Sequence, residues 1–152
     1  MQNAHNMVVL TGAGISTPSG IPDFRSRHSS LWNKDDPREV ASLEGFMRCP
    51  EAFYEWISPL ANMMLDAEPN PAHHALAELE QAGSLVAIIT QNIDLLHSRA
   101  GSRVVHEVHG SIREATCMCC SRRYPGRPVI EQLSVDVRLP CCPRCGGLLR
   151  PD

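Results

Sequence analysis

Two Cys-x-x-Cys pairs, Cys117 with Cys120 and Cys142 with Cys145, constrain this chain more than any other feature. Thiolates separated by two residues on a tight turn can grip one metal ion from the same side. A second such turn completes a tetrahedron, the closed geometry of structural zinc. Gly146-Gly147 follow the second pair and free the backbone for that turn. Disulfides or buried thiols are the competing reading, but disulfide scaffolds are usually shorter secreted chains. The pattern predicts a small four-cysteine zinc-binding module over residues 111–152, with Cys117, Cys120, Cys142 and Cys145 as the metal ligands. Cys119 and Cys141 add no further Cys-x-x-Cys pair and stay outside the set, and Cys49 reads as a core or surface thiol. A zinc module is a folding device, so the chemistry must come from elsewhere in the chain.

The 152 residues suit one domain, or one domain with a small inserted module. Lys and Arg number 14 against 17 Asp and Glu, a formal net charge of −3. With no Lys/Arg run, that balance excludes a basic face for nucleic acid. Arg122-Arg123 and Arg127 read as a solvated part of the cysteine module. No stretch approaches the roughly 18 apolar residues of a membrane span, and no secretory signal opens the chain. Free cysteines without a signal predict a reducing, cytoplasmic setting.

Met7-Val8-Val9-Leu10 is a short apolar, β-branched run that stops at Thr11-Gly12, which predicts a buried parallel strand. Leu85-Val86-Ala87-Ile88-Ile89 predicts a second, ending at Thr90-Gln91-Asn92. Val104-Val105 and Val108 suggest a third, leading to His109-Gly110. Between the first two, residues 37–80 read as helical. Ala41, Leu43, Phe46 and Met47 are expected to share one face, and Phe53, Trp56, Ile57 and Leu60 recur at helical spacing. Pro71 suits a helix start and Gly83 a helix end, while Ile93 to Arg99 is expected to be helical. Strands alternating with helices imply an α/β fold with a Rossmann-like parallel sheet. Residues 1–110 are assigned to that Rossmann-like domain, with a helical insertion around residues 37–82.

A strand followed by Gly12-x-Gly14 and a polar Ser16 is how a Rossmann turn brings backbone N–H groups to a diphosphate. The third glycine of the fingerprint is missing, because position 17 is Thr. A plain structural turn is nearly as good a reading of this segment alone. Gly20-Ile21-Pro22-Asp23-Phe24-Arg25-Ser26 then follows in the same long loop, and long loops inside compact domains tend to be functional. Thr90-Gln91-Asn92-Ile93-Asp94 falls at the carboxyl end of the second strand, the edge where open parallel sheets bind ligands. Polar side chains gathered there are costly to bury unless they meet a ligand or each other. The remaining histidines read as structural: His73 and His74 near a helix start, His97 beside the strand end, and His106 on a strand surface.

Taken together, these segments resemble the sirtuins, the NAD-dependent protein lysine deacylases. The matching runs are Thr11-Gly-Ala-Gly-Ile-Ser16, Gly20-Ile-Pro-Asp-Phe-Arg-Ser26, Thr90-Gln-Asn-Ile-Asp-x-Leu-His97, Ala100-Gly101, His109-Gly110 and the two cysteine pairs, in the family's order. The resemblance implies NAD as co-substrate, structural zinc, and an acyl-lysine protein or peptide as partner. It places Gly12, Ala13, Gly14 and Ser16 against the cofactor, with Gly12 and Ala13 at the diphosphate through their backbone. Phe24 is expected to cover the reacting ribose and Arg25 to contact the cofactor. Gln91 is expected at the ribose hydroxyls, Asn92 at the ribose or an adjacent water, and Ile93 and Asp94 at the nicotinamide amide. Catalysis is assigned to His109, as general base, and Asn92. In the implied reaction the acyl oxygen attacks the anomeric carbon as nicotinamide leaves. A ribose hydroxyl then attacks the acyl carbon and needs a base. A free imidazole titrates near about 6.5, which suits that task. The products are nicotinamide, deacylated lysine and O-acetyl-ADP-ribose.

Sirtuins that prefer succinyl or malonyl groups are similar to one another in a Tyr-x-x-Arg pair, whose arginine binds the acyl carboxylate. The corresponding stretch, Ile57-Ser58-Pro59-Leu60, offers no cation, so acetyl or another uncharged acyl group is expected. The chain ends at Leu148-Leu149-Arg150-Pro151-Asp152, ahead of the sheet-completing strands that the resemblance implies. A C-terminally truncated sirtuin with an incomplete sheet is therefore expected. The alternative function is a catalytically inactive remnant acting as a zinc-stabilised binding module.

Overall fold

The computed structural model describes residues 6–23, 37–135 and 138–152. The chain divides into two compact units, Met1–Asp23 with Asp66–Ser111, and Phe24–Leu65 with Ile112–Asp152.

The first unit is built on three parallel strands, β1 (Met7–Thr11), β2 (Leu85–Thr90) and β3 (Val105–Glu107), in the order β1-β2-β3. Thr11 lies opposite Thr90, and Thr90 opposite Glu107. The three strands therefore end at one level, and the loops that follow all leave from the same edge. Helix α4 (Pro71–Gln81) packs on β2 and on the short α5 (Leu96–Arg99), burying Ala77, Leu85, Ile88 and Leu96. Asn70 caps α4, Pro71 occupies its first turn, and Gly83 follows its end at φ 75°.

Three expectations for this unit are corrected. The strands are not buried throughout: Val8, Leu10 and Val86 are exposed. Successive side chains of a strand point to opposite faces, and β1 alternates between half-buried and exposed positions until it reaches buried Thr11. The helix expected from Ile93 begins only at Leu96. Asp94 turns its carboxylate onto the Leu96 N–H at 2.9 Å, and Leu95 sits in the left-handed region at φ 66°, so neither continues a helix. The third strand stops at Glu107, leaving Val104 and Val108 as exposed flanks.

In the second unit α1 (Pro37–Val40) and α2 (Leu43–Arg48) lead into α3 (Pro50–Asp66). Phe53, Tyr54, Ile57, Leu60, Ala61 and Met64 form the buried stripe of α3, at the spacing that brings residues to one helix face. Phe46 of α2 is fully buried, with Phe53 and Tyr54 edge-on at 5.2 Å and 5.9 Å. Leu43 and Met47 are exposed, so the apolar face expected for this segment reduces to Phe46. Ile57 and Leu60 also belong to the core, which turns the stretch aligned with acyl recognition largely inward.

The rest of this unit is an antiparallel sheet in the order β5-β4-β6, from β4 (Glu114–Cys117), β5 (Arg123–Pro125) and β6 (Leu149–Pro151), with α6 (Gly126–Val135) on β4. Ala115, Cys117, Val129, Cys142 and Leu149 form its core. The Tyr54 hydroxyl donates to the Leu149 carbonyl, joining α3 to β6, and burial raises its pKa. None of β4, β5, β6 or α6 was read individually from the sequence; the strands, three or four residues each, carry too little periodicity.

Truncating the Phe46 ring should cost about 3–5 kcal/mol, the usual penalty for a buried aromatic. Denaturant unfolding of Phe46→Ala should show it, while Leu43→Ala, at an exposed position, should stay within about 0.5 kcal/mol of the parent.

Candidate functional site

The site grows from the carboxyl edge of the parallel sheet. After β1 the chain passes through extended Gly12 (φ −144°, ψ −172°) into two 3₁₀ turns, Ala13–Ile15 and Thr17–Ser19. The Ile15 N–H donates to Gly12 O at 3.1 Å and the Ser16 N–H to Ala13 O at 3.0 Å. Gly20 ends the second turn at φ 88°, a left-handed conformation that favours glycine. A Cβ at Gly14 would meet nothing within 4 Å, while one at Gly12 would reach 3.8 Å from Gln91 Oε1.

Ser16 is the junction of the site. Its hydroxyl, 1% exposed, donates to Asp94 Oδ2 at 2.6 Å and accepts from Asn92 Nδ2 at 3.0 Å. Asn92 Nδ2 also donates to Gly12 O at 3.2 Å, and the Asn92 N–H donates to Thr90 Oγ1 at 3.1 Å. Asp94 is only 4% exposed, yet both its oxygens are used, since Oδ1 takes the Leu96 N–H. Those bonds offset much of the cost of burying a carboxylate. Gln91 is exposed and anchored by its N–H to Thr11 O, and Ile93 is half-buried. His109 is exposed at the end of the segment after β3, with Nδ1 3.2 Å from Gln91 O. A carbonyl oxygen only accepts, so Nδ1 carries the proton in this bond and Nε2 keeps the basic lone pair of the neutral ring.

The structure thus brings Gly12, Ser16, Asn92 and Asp94 into one hydrogen-bonded cluster, ties Gln91 to Thr11, and ties His109 to Gln91. Ala13 and Gly14 form the turn that leads into it. Phe24 and Arg25 lie outside the described residues.

Sequence reasoning passed over the layer beneath. Thr11 Oγ1 and His97 Nε2 lie 2.9 Å apart, and the His97 ring stands edge-on to His73 at 4.9 Å. His73 completes a capping box by accepting the Asn70 N–H at Nδ1, so its capping role holds, but it is wholly buried. Burial pushes His97 down to about 4, with His73 adding to the shift and Asp94 opposing it. Burial also lowers His73. Both rings are therefore neutral at pH 7. The clue available in sequence was Asn70 before Pro71, a helix-capping signal with a histidine at the third helical position.

In the other unit the Sγ atoms of Cys117, Cys120, Cys142 and Cys145 all lie within 4.8 Å of one another. Cys117 and Cys145 are 3.6 Å apart, and Cys120 and Cys142 3.8 Å. The Tyr124 hydroxyl, 3.0 Å away, lowers Cys142 to about 6, and Tyr124 itself is raised to about 12. The Cys120 N–H lowers Cys117. Cys145 is raised to about 12: the Gly147 N–H works the other way, but hydrogen bonding to Cys117 and Cys120 prevails. Four thiols this close resist ionising together unless a cation joins them. The four-sulfur donor set fits zinc. Cys119 and Cys141 are exposed, and neither belongs to the cluster.

The model of the Sir2 family matches residues 12–152. The chain belongs to the Sir2 family. It is 46% identical over its whole length to the NAD-dependent protein deacetylase 2 of Caldanaerobacter subterraneus subsp. tengcongensis, of which it covers 61%. Among solved structures it is similar to a Sir2 with p53 peptide and NAD+, at TM-score 0.83 and 44% identity, covering 99% of this chain and 59% of that one. It is also similar to a substituted Sir2 with deacetylated p53 peptide and 3'-O-acetyl ADP-ribose, at TM-score 0.89 and 43% identity, covering 99% and 60%. The chain spans about three-fifths of the length of the relatives it matches. Among the described residues no helix is long and apolar enough to cross a membrane.

Burial of His97 should make the stability of this Sir2-family chain pH-dependent. His97 is neutral in both states above its ordinary pKa of 6.5. As pH falls below that, the unfolded chain takes the proton first, and stability drops until the folded value of about 4 is passed. Between pH 7 and pH 5 the loss should be about 2 kcal/mol. With zinc in excess, urea unfolding should show a shallower pH slope for His97→Gln than for the parent; equal slopes would remove the assignment. Separately, Cys142→Ser should abolish binding of one zinc per chain, measured by metal analysis after gel filtration.

Proposed function

We propose that this chain carries the catalytic chemistry of an NAD-dependent protein lysine deacetylase, an acyl transferase acting in the cytoplasm on acyl-lysine proteins or peptides. The observation that carries the reading is the Ser16–Asn92–Asp94 cluster at the carboxyl edge of β1 and β2, with His109 held beside it by Gln91 O. The close relatives' names and the NAD and peptide contents of similar structures point the same way.

The residues fit NAD as a substrate. Gly12, Ala13 and Gly14 leave backbone uncovered by side chains beyond a methyl group, as a diphosphate needs. Asn92 and Asp94, held by the buried Ser16 hydroxyl, supply oriented amide and carboxylate groups for a ribose and a carboxamide, with Gln91 and Ile93 flanking them. Phe24 and Arg25 are assigned to the same substrate by family resemblance. NAD supplies a nicotinamide–ribose bond whose cleavage makes the sugar the acyl acceptor.

The chain's own residues then have separable tasks. Asp94, locked by Ser16 and the Leu96 N–H, orients the amide of the leaving group. Asn92 is pinned at Nδ2, which leaves its Oδ1 to accept from a ribose hydroxyl or a water. His109 holds its proton at Nδ1 against Gln91 O, so Nε2 is the atom that takes a proton from a ribose hydroxyl. Cys117, Cys120, Cys142 and Cys145 would hold a structural zinc, which leaves no open coordination position for chemistry. An uncharged acyl group is the expected cargo on the family resemblance alone, which aligns no cation at Ile57-Ser58-Pro59-Leu60, where Ile57 and Leu60 are buried in the core.

The test is nicotinamide release from NAD with an acetyl-lysine peptide. The parent chain should be active, and His109→Ala should lower turnover by about 10²–10⁴-fold, the usual contribution of a general base. Zinc content should be unchanged in that variant. A parent chain that releases no nicotinamide while holding one zinc would favour the inactive binding module instead.

A further inference from the structure

The Asn70 side chain does more than cap a helix. Its Oδ1 accepts from the Ala72 N–H at 2.9 Å, as an N-cap should. Its Nδ2 is turned the other way, donating to Ile15 O at 2.7 Å and to Ser19 Oγ at 2.9 Å. A cap needs only an acceptor, and Ser or Asp would serve as well. The two donations require an amide, and both land on the glycine loop. One holds the carbonyl immediately before Ser16, and the other holds the end of the second 3₁₀ turn.

Ser16 is where this matters. Its hydroxyl joins Asn92 to Asp94, and its placement depends on the backbone that carries it. The turn bonds from Ile15 N to Gly12 O and from Ser16 N to Ala13 O are local and set no position against the rest of the unit. Asn70 is 8% exposed and its backbone N–H is fixed by His73 Nδ1. The amide is therefore anchored on a helix that packs on β2, the strand that leads to Asn92 and Asp94. One side chain references the loop after β1 to the scaffold behind the loop after β2.

We propose that Asn70 is a positioning residue for the substrate site: its amide holds the Ile15 carbonyl and the Ser19 hydroxyl so that Ser16 meets Asn92 and Asp94. This deepens the deacetylase reading and rests on it for the catalytic consequence. Asn70→Ser keeps a capping oxygen and removes both donations, which separates the two roles. In Asn70→Ser the backbone amides of Ser16, Ser19 and Ile21 should exchange with solvent about tenfold faster, the size of one or two lost hydrogen bonds, while β2 amides keep the parent's rates. The KM for NAD should rise by a similar, roughly tenfold, factor with kcat changed less than about threefold. Ser19→Ala, which leaves the Ile15 contact, should fall between the two.

Uniformly faster exchange across α4 and β2 would reduce Asn70 to a helix cap and overturn the proposal. So would an unchanged loop, or a loosened loop with an unchanged KM. A parent that turns over no NAD, combined with selective loosening in Asn70→Ser, would sink the deacetylase reading and leave the loop-positioning role standing.

Discussion

The Ser16 hydroxyl is the interaction on which the site depends. It donates to one buried carboxylate and accepts from one amide, and those two groups come from the loop after a different strand. Parallel pairing of β1 with β2 brings the two loops to the same edge. Pairing alone does not aim side chains. The hydroxyl does, because a carboxylate can be as nearly buried as Asp94 only while its oxygens are met. The tight 3₁₀ path after Gly12 is the backbone route that delivers Ser16 there.

Behind that cluster lies a second polar layer of different electrostatic character. Thr11, His73 and His97 are buried and hydrogen-bonded or ring-packed, and burial keeps both imidazoles neutral. The Asp94 carboxylate thus has neutral rings rather than cations behind it. Protonating His97 in that layer should destabilise the fold as pH falls.

Much of the chemistry was legible because it sits in short, dense polar runs at strand ends. Gly12, Ser16, Asn92, Asp94 and the four cysteines were identifiable as types and spacings, and the structure assembles each group. The failures have physical causes. Ile93 to Leu95 carries helical spacing, but Asp94 satisfies the Leu96 N–H and Leu95 takes a positive φ, so local hydrogen bonding overrides periodicity. Leu43 and Met47 look like core residues, and whether an apolar side chain is covered depends on what packs against it. Asn70 drew no reading beside Pro71, since nothing local reveals where the far end of its amide points.

By itself the sequence determined the carboxyl ends of β1 and β2, the four-cysteine cluster and the family, since each is written in residue types at fixed local spacing. Only the tertiary structure decided which polar groups are buried together, which nitrogen of His109 is left basic, and that Asn70 reaches Ile15 and Ser19. Spacing along a chain is a local property. Hydrogen-bond partners 55 and 86 residues apart, Asn70 with Ile15 and His97 with Thr11, exist only once strands and helices have packed and excluded water from between them.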